Sequence, residues 1–217
     1  MSNAAVHVGQ RVVVHADIRN FFDSITSDHV LGAFVRLGCN QSIAALLVRI
    51  CTLNGRLPQG ASTSPVVSNL VCAGLDAELS AFASRQGVRY TRYADDLTFS
   101  GETPADVDAV RRIVELHGFN LRDEKARTQW RGKSQYVTGL CVADADGARV
   151  PARAKHRLRL ELYYAKKFGI DNHLSHVQLD WSNLRFCAYV RGWADYLNSV
   201  PAESKLAHRL LKQLESL

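Results

Sequence analysis

Several features that define other classes of protein are missing from this 217-residue sequence. It has no apolar run near the roughly 18 residues of a membrane span, and its N-terminus lacks the pattern of a signal peptide. The five cysteines are scattered without a CxxC pair, which argues against a disulfide framework or a zinc knuckle. These absences predict an ordinary globular protein with free thiols, in the cytoplasm and without a membrane partner.

An excess of acidic residues is also missing, and basic residues collect in one part of the chain. The formal net charge is +6, but residues 1–130 balance at 13 Lys+Arg against 13 Asp+Glu. Residues 131–217 carry 14 basic and 8 acidic side chains, and the stretch from Arg149 to Lys167 contains seven basic residues and one acid, Glu161. This asymmetry indicates either a polyanionic partner, most simply nucleic acid, or a solvated basic helix face.

The hydrophobic patterns predict an α+β fold with an all-helical C-terminal part. A β-branched strand over Arg11–Asp17 ends in a carboxylate, and a hairpin lies within Arg89–Phe99. Helical spacing is found in the following ranges: Thr26–Leu37, Gln41–Leu53, Ser64–Arg85, Pro104–His117, Arg153–Phe168, Trp181–Leu197 and from Ser204 onwards. A change of composition near Asp144–Pro151 separates the neutral part from the basic helical part.

Two adjacent carboxylates, Asp95 and Asp96, lie at the turn of the predicted hairpin, and Asp17 ends a separate strand. If the fold brings Asp17 beside Asp95, the acidic pocket needs divalent cations to be stable, and hard oxygen ligands suit Mg²⁺. The alternative is that Asp95 and Asp96 are ordinary turn residues, a position that aspartate favours. For a bare pair of aspartates, that alternative is preferred.

The surrounding segments change this preference, because together they resemble the palm motifs of reverse transcriptases in order and spacing. The three central motifs are Asp17-Ile18-Arg19-Asn20-Phe21-Phe22, LPQGASTSP at 57–65 with Asn69-Leu70, and Tyr93-Ala94-Asp95-Asp96. A later segment resembles the next palm motif: Gly118-Phe119-Asn120, followed by Lys125. Val137-Thr138-Gly139 and Asn3-Ala4-Ala5-Val6-His7 match the VTG and NAxxH signatures of the bacterial retron group.

The resemblance implies a right-hand polymerase fold. Residues 1–143 would form the palm, an antiparallel sheet with packed helices, and residues 144–217 a basic helical thumb. A complete enzyme of this family has a fingers region before the NAxxH segment. We therefore expect that the chain is a fragment with truncated fingers, that its start was assigned too late, or that a partner supplies the region.

The resemblance also implies catalytic roles for single residues. Asp17, Asp95 and Asp96 would bind two Mg²⁺ ions, for which Mn²⁺ can substitute, with Asp17 and Asp95 bridging both ions. Ile18, directly after Asp17, would belong to the metal and nucleotide site. Lys125 would be the general acid that protonates the leaving pyrophosphate, with a solvated basic loop as the alternative.

Two further residues would line the nucleotide pocket. Phe22 stands where the family places an aromatic steric gate, which selects dNTPs over NTPs by clashing with a 2′-hydroxyl. The alternative for Phe22 is core packing, a role that we expect for Phe21. Gln59 lies in a loop bounded by glycine and proline, and its alternative is a helix-entry loop without a ligand.

The RNA-binding residues implied by the resemblance are Val137, Thr138, Gly139, Arg153 and Arg157. Without the resemblance, residues 137–140 are typical of a buried strand. Arg153 and Arg157 would contact duplex phosphates from the thumb, while Leu158, Leu162 and Ala165 line the opposite face of the helix.

The implied function is that of a retron-type RNA-directed DNA polymerase. It would use dNTPs to copy a structured noncoding RNA into msDNA through an RNA–DNA hybrid, with a role in antiphage defence beside an accessory effector protein. The alternatives are a catalytically incomplete RNA-binding palm and thumb module, or a reverse transcriptase of the group II intron, diversity-generating or abortive-infection type.

Overall fold

The computed structural model describes residues 2–216, without the side chains of residues 2 and 125. Packing divides the chain into two compact units. Residues 10–133 form one unit, and residues 134 onwards form the other together with the segment up to residue 9. The predicted boundary between residues 143 and 144 concerns functional domains, which need not coincide with packing units, so it stays a prediction.

The described elements alternate helices and strands up to residue 141 and are helical after it. The helices are α1 (Ser2–Val6), α2 (Phe21–Ser24), α3 (Ser27–Arg36), α4 (Gln41–Cys51), α5 (Ser64–Val71), α6 (Ala73–Gln86), α7 (Val107–Leu116), α8 (Ala152–Phe168), α9 (Ile170–His176), α10 (Asn183–Asn198) and α11 (Ser204–Leu214), with 3₁₀ turns at Asp123–Lys125 and Pro201–Glu203. The strands are β1 (Val12–Asp17), β2 (Arg89–Tyr93), β3 (Asp96–Gly101), β4 (Arg127–Trp130), β5 (Tyr136–Val137) and β6 (Leu140–Cys141).

The unit of residues 10–133 is built on an antiparallel sheet of strand order β2-β3-β1-β4. Side chains alternate between the two faces of a strand. Val12, Val14 and Ala16 of β1, with Leu97 and Phe99 of β3, belong to the apolar core cluster that includes residues of α2–α7. This arrangement confirms the predicted α+β class.

The opposite face of the same strands carries polar side chains that are nevertheless buried. His15 of β1 is paired in register with Thr98 of β3, and Ser100 follows two residues later on the same face. Because β1 is a central strand, all six of its residues are buried. The β-branched run in β1 therefore reflects burial on both faces.

Two element predictions are wrong in detail. The helix predicted over Ser64–Arg85 is two helices, α5 and α6, which bend by 58° at Cys72. Residues 137–140 form a hairpin and not a continuous buried strand, because Thr138 and Gly139 both have positive φ and make the two-residue turn between β5 and β6. Val137 and Leu140 are buried on either side of that turn.

In the described part of the chain, no single helix is long and apolar enough to cross a membrane, although α5 and α6 pass that test as a bent pair by length and composition. All five cysteines are free. Burial raises the pKa of the Cys72 thiol to about 11, so it stays protonated at neutral pH. The prediction of free thiols is confirmed.

The aromatic contacts of Phe99 lead to a prediction about stability. Its ring is fully buried between Phe82 and Tyr90, with centroid distances of 6.2 and 4.9 Å. Phe99→Ala should lower the free energy of unfolding by about 3–5 kcal/mol, because a cavity replaces the ring. Urea unfolding followed by circular dichroism measures this. Leu116→Ala, at an 80% exposed position of α7, is the control and should change it by less than about 0.5 kcal/mol; equal losses would contradict the assignment of Phe99 to the core.

Candidate active site at the ends of the central strands

The register of the central strands brings two of the predicted carboxylates together. Asp17, the last residue of β1, is paired with Asp96, the first residue of β3. Residues directly opposite each other in an antiparallel pair project to the same face of the sheet. The side chain of Asp17 is 12% exposed and that of Asp96 is 36% exposed, so the pair lies at the boundary between the interior and solvent.

Asp95 is held next to this pair by the turn of the hairpin. The pairing of Tyr93 with Asp96 leaves Ala94 and Asp95 as a two-residue loop. Ala94 has a φ of 53°, whereas Asp95 is not among the residues with positive φ, which is the pattern of a type II′ turn. Glycine is preferred at the first position of that turn, so alanine there is strained by about 1 kcal/mol or more. The Ile18 N–H donates to the Asp95 carbonyl at 2.9 Å and ties the turn to β1.

The Arg122 guanidinium offsets part of the negative charge of the carboxylates, and the His15 ring lies beside them. Nε of Arg122 lies 3.5 Å from Oδ1 of Asp17, and the Arg122 backbone N–H donates to the Asp17 carbonyl at 2.8 Å. Nδ1 of His15 lies 3.6 Å from Oδ1 of Asp96. A half-buried group of carboxylates is costly without such neighbours, because like charges in a region of low dielectric repel each other.

The carboxylates suit a hard divalent cation, although they do not form a complete ligand set. Among the described residues, no three His, Cys, Asp or Glu side chains are placed to hold a metal ion together. Mg²⁺ commonly binds one or two carboxylates and takes its remaining ligands from substrate phosphates and water. Asp17 and Asp96, facing the same side of the sheet, meet that requirement. Ile18 and Leu121 form an isolated antiparallel bridge, but the hydrogen bonds of this bridge are made by the residues on either side of them. The Ile18 carbonyl therefore takes no part in the bridge.

A buried arginine that the sequence analysis did not single out supports the hairpin turn. Arg92 is 5% exposed, and its Nε and Nη2 donate to both carboxylate oxygens of Asp76 on α6, at 2.7 and 2.6 Å. Its Nη1 donates to the Ala94 carbonyl at 3.2 Å, and Nη2 also contacts Oδ1 of Asn69 on α5. In the sequence, Arg92 is one of two arginines in the short polar and aromatic segment Arg89–Tyr93, so its burial has no distinct signal there.

Tyr90 completes this arrangement, which we call the Arg92 clamp: Arg92, Asp76, Asn69 and Tyr90. The Tyr90 hydroxyl donates to Oδ1 of Asp76 at 2.9 Å. Burial, and then the charge and hydrogen bond of Asp76, raise the pKa of Tyr90 well above its ordinary value, so the hydroxyl remains a donor. The clamp thus connects α5 and α6 to the strained turn at Ala94.

The two residues predicted for the nucleotide pocket lie in different surroundings. Phe21 is buried in the core, as expected, and Phe22 is half-buried, with its ring edge-on to that of Phe21 at 5.2 Å. Gln59 is exposed on a loop that the Ser64 hydroxyl anchors through the Pro58 carbonyl at 2.6 Å. The side chain of Lys125 lies outside the described residues, so its predicted role stays a prediction.

The predicted RNA-binding residues all belong to the second unit. Thr138 and Gly139 are exposed at the β5–β6 turn, while Val137 is buried beneath it. Arg153 and Arg157 are exposed on α8. The three apolar residues predicted for the other face of that helix are buried: Leu158, Leu162 and Ala165.

Comparison with known proteins shows similarity to reverse transcriptases. The family model described as reverse transcriptase (RNA-dependent DNA polymerase) matches residues 2–139. The Retron Mx65 reverse transcriptase of Myxococcus xanthus is 37% identical over 199 residues, which is 81% of this chain and 46% of that protein. The Retron Ec86 reverse transcriptase of Escherichia coli is 30% identical over 221 residues, which is 100% of this chain and 64% of that protein.

The Retron Mx162 reverse transcriptase of Myxococcus xanthus is 36% identical over 203 residues, or 77% of this chain and 42% of that protein. The chain thus spans 42% to 64% of the length of these three relatives. Among solved structures, apo telomerase from Candida tropicalis, truncated from its C-terminal domain, superposes with a TM-score of 0.49 and 10% identity over 64% of this chain and 35% of that chain. That likeness is too weak to carry a conclusion.

The Arg92 clamp yields a prediction with a matched control. Asp76→Asn leaves the buried Arg92 guanidinium without its opposite charge and should lower the free energy of unfolding by about 3–5 kcal/mol. Asp123→Asn removes an ion pair of similar length, 2.6 Å to Arg111, but that pair is more exposed and should be worth less than about 1 kcal/mol. Urea unfolding of the two variants measures the difference. Similar losses would show that the clamp adds nothing beyond an ordinary surface ion pair.

Proposed function

Because the chain belongs to the reverse transcriptase family and is of the retron type, we propose that it carries the polymerase active site of an RNA-directed DNA polymerase. Its palm would span residues 1–143 and its basic thumb residues 144–217. The observation that carries the proposal is the register that sets Asp17 opposite Asp96, with Asp95 in the adjoining turn. All three carboxylates lie within the range that the family model matches.

In the proposed reaction the carboxylates bind divalent cations, most simply two Mg²⁺ ions with Mn²⁺ as a substitute. These ions would supply charge neutralisation at the transferring phosphoryl group and activation of the attacking hydroxyl. Asp17, Asp95 and Asp96, with the carbonyl of Ile18, would hold these ions. Lys125 would donate a proton to the leaving pyrophosphate.

Nucleotide selection would depend on Phe22 and Gln59. The half-buried ring of Phe22 is supported on one side by Phe21, which favours a fixed surface over a mobile side chain. A fixed ring beneath the sugar would clash with a 2′-hydroxyl and so favour dNTPs. The exposed Gln59, on a loop anchored at Pro58, would contact the incoming nucleotide.

We further propose that the template is a structured noncoding RNA held by the second unit. The exposed Arg153 and Arg157 would contact phosphates, and Thr138 and Gly139 at the hairpin turn, above the buried Val137, would contact RNA or the primer end. The product would be msDNA joined to RNA as an RNA–DNA hybrid. A cytoplasmic location, an antiphage role and an accessory effector protein complete the proposal, on the strength of the retron relatives.

The proposal predicts the effect of removing the acidic pair. An Asp95→Asn, Asp96→Asn double variant should lower Mg²⁺-dependent dNTP incorporation on a primed RNA template at least about a hundredfold, because the metal ligands lose their charge. The exposed Asp108→Asn of α7 is the matched control and should keep wild-type activity. No incorporation by any of these chains, with RNA binding retained, would instead favour the RNA-binding module as the function of this polypeptide.

A second prediction concerns the choice of sugar. Phe22→Ala should raise the incorporation of NTPs relative to dNTPs by about tenfold or more, because the clash with the 2′-hydroxyl is removed. The ratio of kcat/KM for a matched dNTP and NTP measures it. Phe22→Tyr keeps the ring and serves as the control. If Phe22→Ala left the ratio unchanged while remaining folded, Phe22 would be a packing residue and not a gate.

A further inference from the structure

The second unit contains an aromatic pocket that the proposed polymerase chemistry does not use. It lies where the last turns of α8 meet α9 and has a volume of about 660 Å³. A volume of this size is in the range of small-molecule sites. The lining residues, here called the aromatic pocket, are Tyr164, Phe168, Asn172, His173, His176 and Val177.

The rings of the pocket are nearly parallel. Tyr164 and Phe168 are one helical turn apart, with centroids at 6.2 Å and an angle of 16° between the ring planes. The ring of His173 is also close to Tyr164 and nearly parallel to it, at 6.1 Å and 17°. The side chains of Tyr164 and Phe168 are 42% and 51% exposed, whereas His173 is buried. The pocket therefore combines the buried imidazole ring of His173 with two accessible aromatic rings of similar orientation.

His173 is held in place from two sides. Its Nε2 is 2.5 Å from Oε2 of Glu161, and its ring stands edge-on to Phe186 of α10 at 5.9 Å. The other carboxylate oxygen of Glu161 lies 3.6 Å from Nε of Arg157. Because His173 is fixed, the ring of Tyr164 packs against a rigid neighbour, and a flat ligand stacking there would lose little ordering entropy from the protein.

The charge around the pocket indicates what kind of flat ligand it suits. Between residues 152 and 178 the sequence has six Lys and Arg against two Asp and Glu. Lys167 does not line the pocket, but its Nζ lies 5.1 Å from the centre of the ring of Phe168, which does. This positive charge favours a nucleotide over an apolar peptide, because a nucleotide presents an aromatic base to the rings and a phosphate to the lysine.

We propose that the aromatic pocket binds an unpaired RNA base, which stacks on Tyr164 and Phe168 while Lys167 contacts its phosphate. Bases in loops and bulges can leave the stack and be held on aromatic side chains, and such stacking tolerates any base. The inference rests on the proposed RNA-binding function of this unit. It adds a base-stacking site to the phosphate contacts of Arg153 and Arg157.

The test uses the full chain and an RNA hairpin with one 2-aminopurine among the unpaired residues of its loop. A second hairpin carries an abasic site at the same position. Tyr164→Leu should weaken binding of the first hairpin by about tenfold and abolish the quenching of 2-aminopurine fluorescence, while binding of the abasic hairpin stays unchanged. Phe168→Leu should act in the same direction, and Tyr164→Trp should restore binding because the stacking surface returns.

Tyr196→Leu is the matched control, since Tyr196 on α10 is 41% exposed, against 42% for Tyr164, and does not line the pocket. It should leave both dissociation constants within about twofold of wild type. If the wild-type chain binds both hairpins with equal affinity, or if Tyr164→Leu and Phe168→Leu bind the base-containing hairpin as wild type does, the stacking site is overturned and RNA binding stands. If the wild-type chain binds neither hairpin, the proposed RNA-binding function fails together with this inference.

Discussion

The register of β3 on β1 is the constraint on which the candidate site depends. With Asp17 opposite Asp96, the side chains of both project to the same face, and a shift of one residue would send one of them into the apolar core. The register is fixed by the alternation of core-facing and opposite-facing side chains along the two strands. Val14 and Phe99 must face the core, so His15 and Thr98 must face the other way, and the acidic residues follow the same alternation.

This placement has an energetic cost, and the surrounding structure offsets it. Asp17 is buried and Asp96 half-buried, and the turn between Tyr93 and Asp96 places a non-glycine residue at positive φ. Arg122 and His15 approach the carboxylates, and Arg92 donates a hydrogen bond to the strained turn. Strain and clustered charge of this kind commonly mark functional sites, where packing elsewhere holds them in place.

The second unit is organised by a different principle, because its long helix α8 has two unlike faces. Leu158, Leu162 and Ala165 are buried in the unit, while Arg153 and Arg157 remain exposed. Long basic side chains can keep their charge in water without disturbing an apolar face beneath them. The net charge of +6 found in residues 131–217 is thus carried in part by α8, whose exposed face is basic and whose apolar face is buried.

Some features could be predicted because local pattern suffices to decide them, such as the strand ending in Asp17 and the hairpin around Asp95. Others depended on partners distant in the chain. The 58° bend that separates α5 from α6 lies at Cys72, a residue type that does not predict a bend as Pro or Gly would. In the same way, Arg92 appears in the sequence only as a charge in a strand, and its partner Asp76 lies sixteen residues earlier on a helix.

The sequence by itself determined the α+β class, the order of the acidic segments and the basic character of the C-terminal part. These depend on composition and on spacing between near neighbours, which a linear chain displays directly. Only the tertiary structure decided that Asp96 stands opposite Asp17, that Arg92 supports the turn and that Tyr164 and His173 form one pocket. Those contacts arise from strand pairing and helix packing, whose geometry depends on the whole fold and not on any one segment.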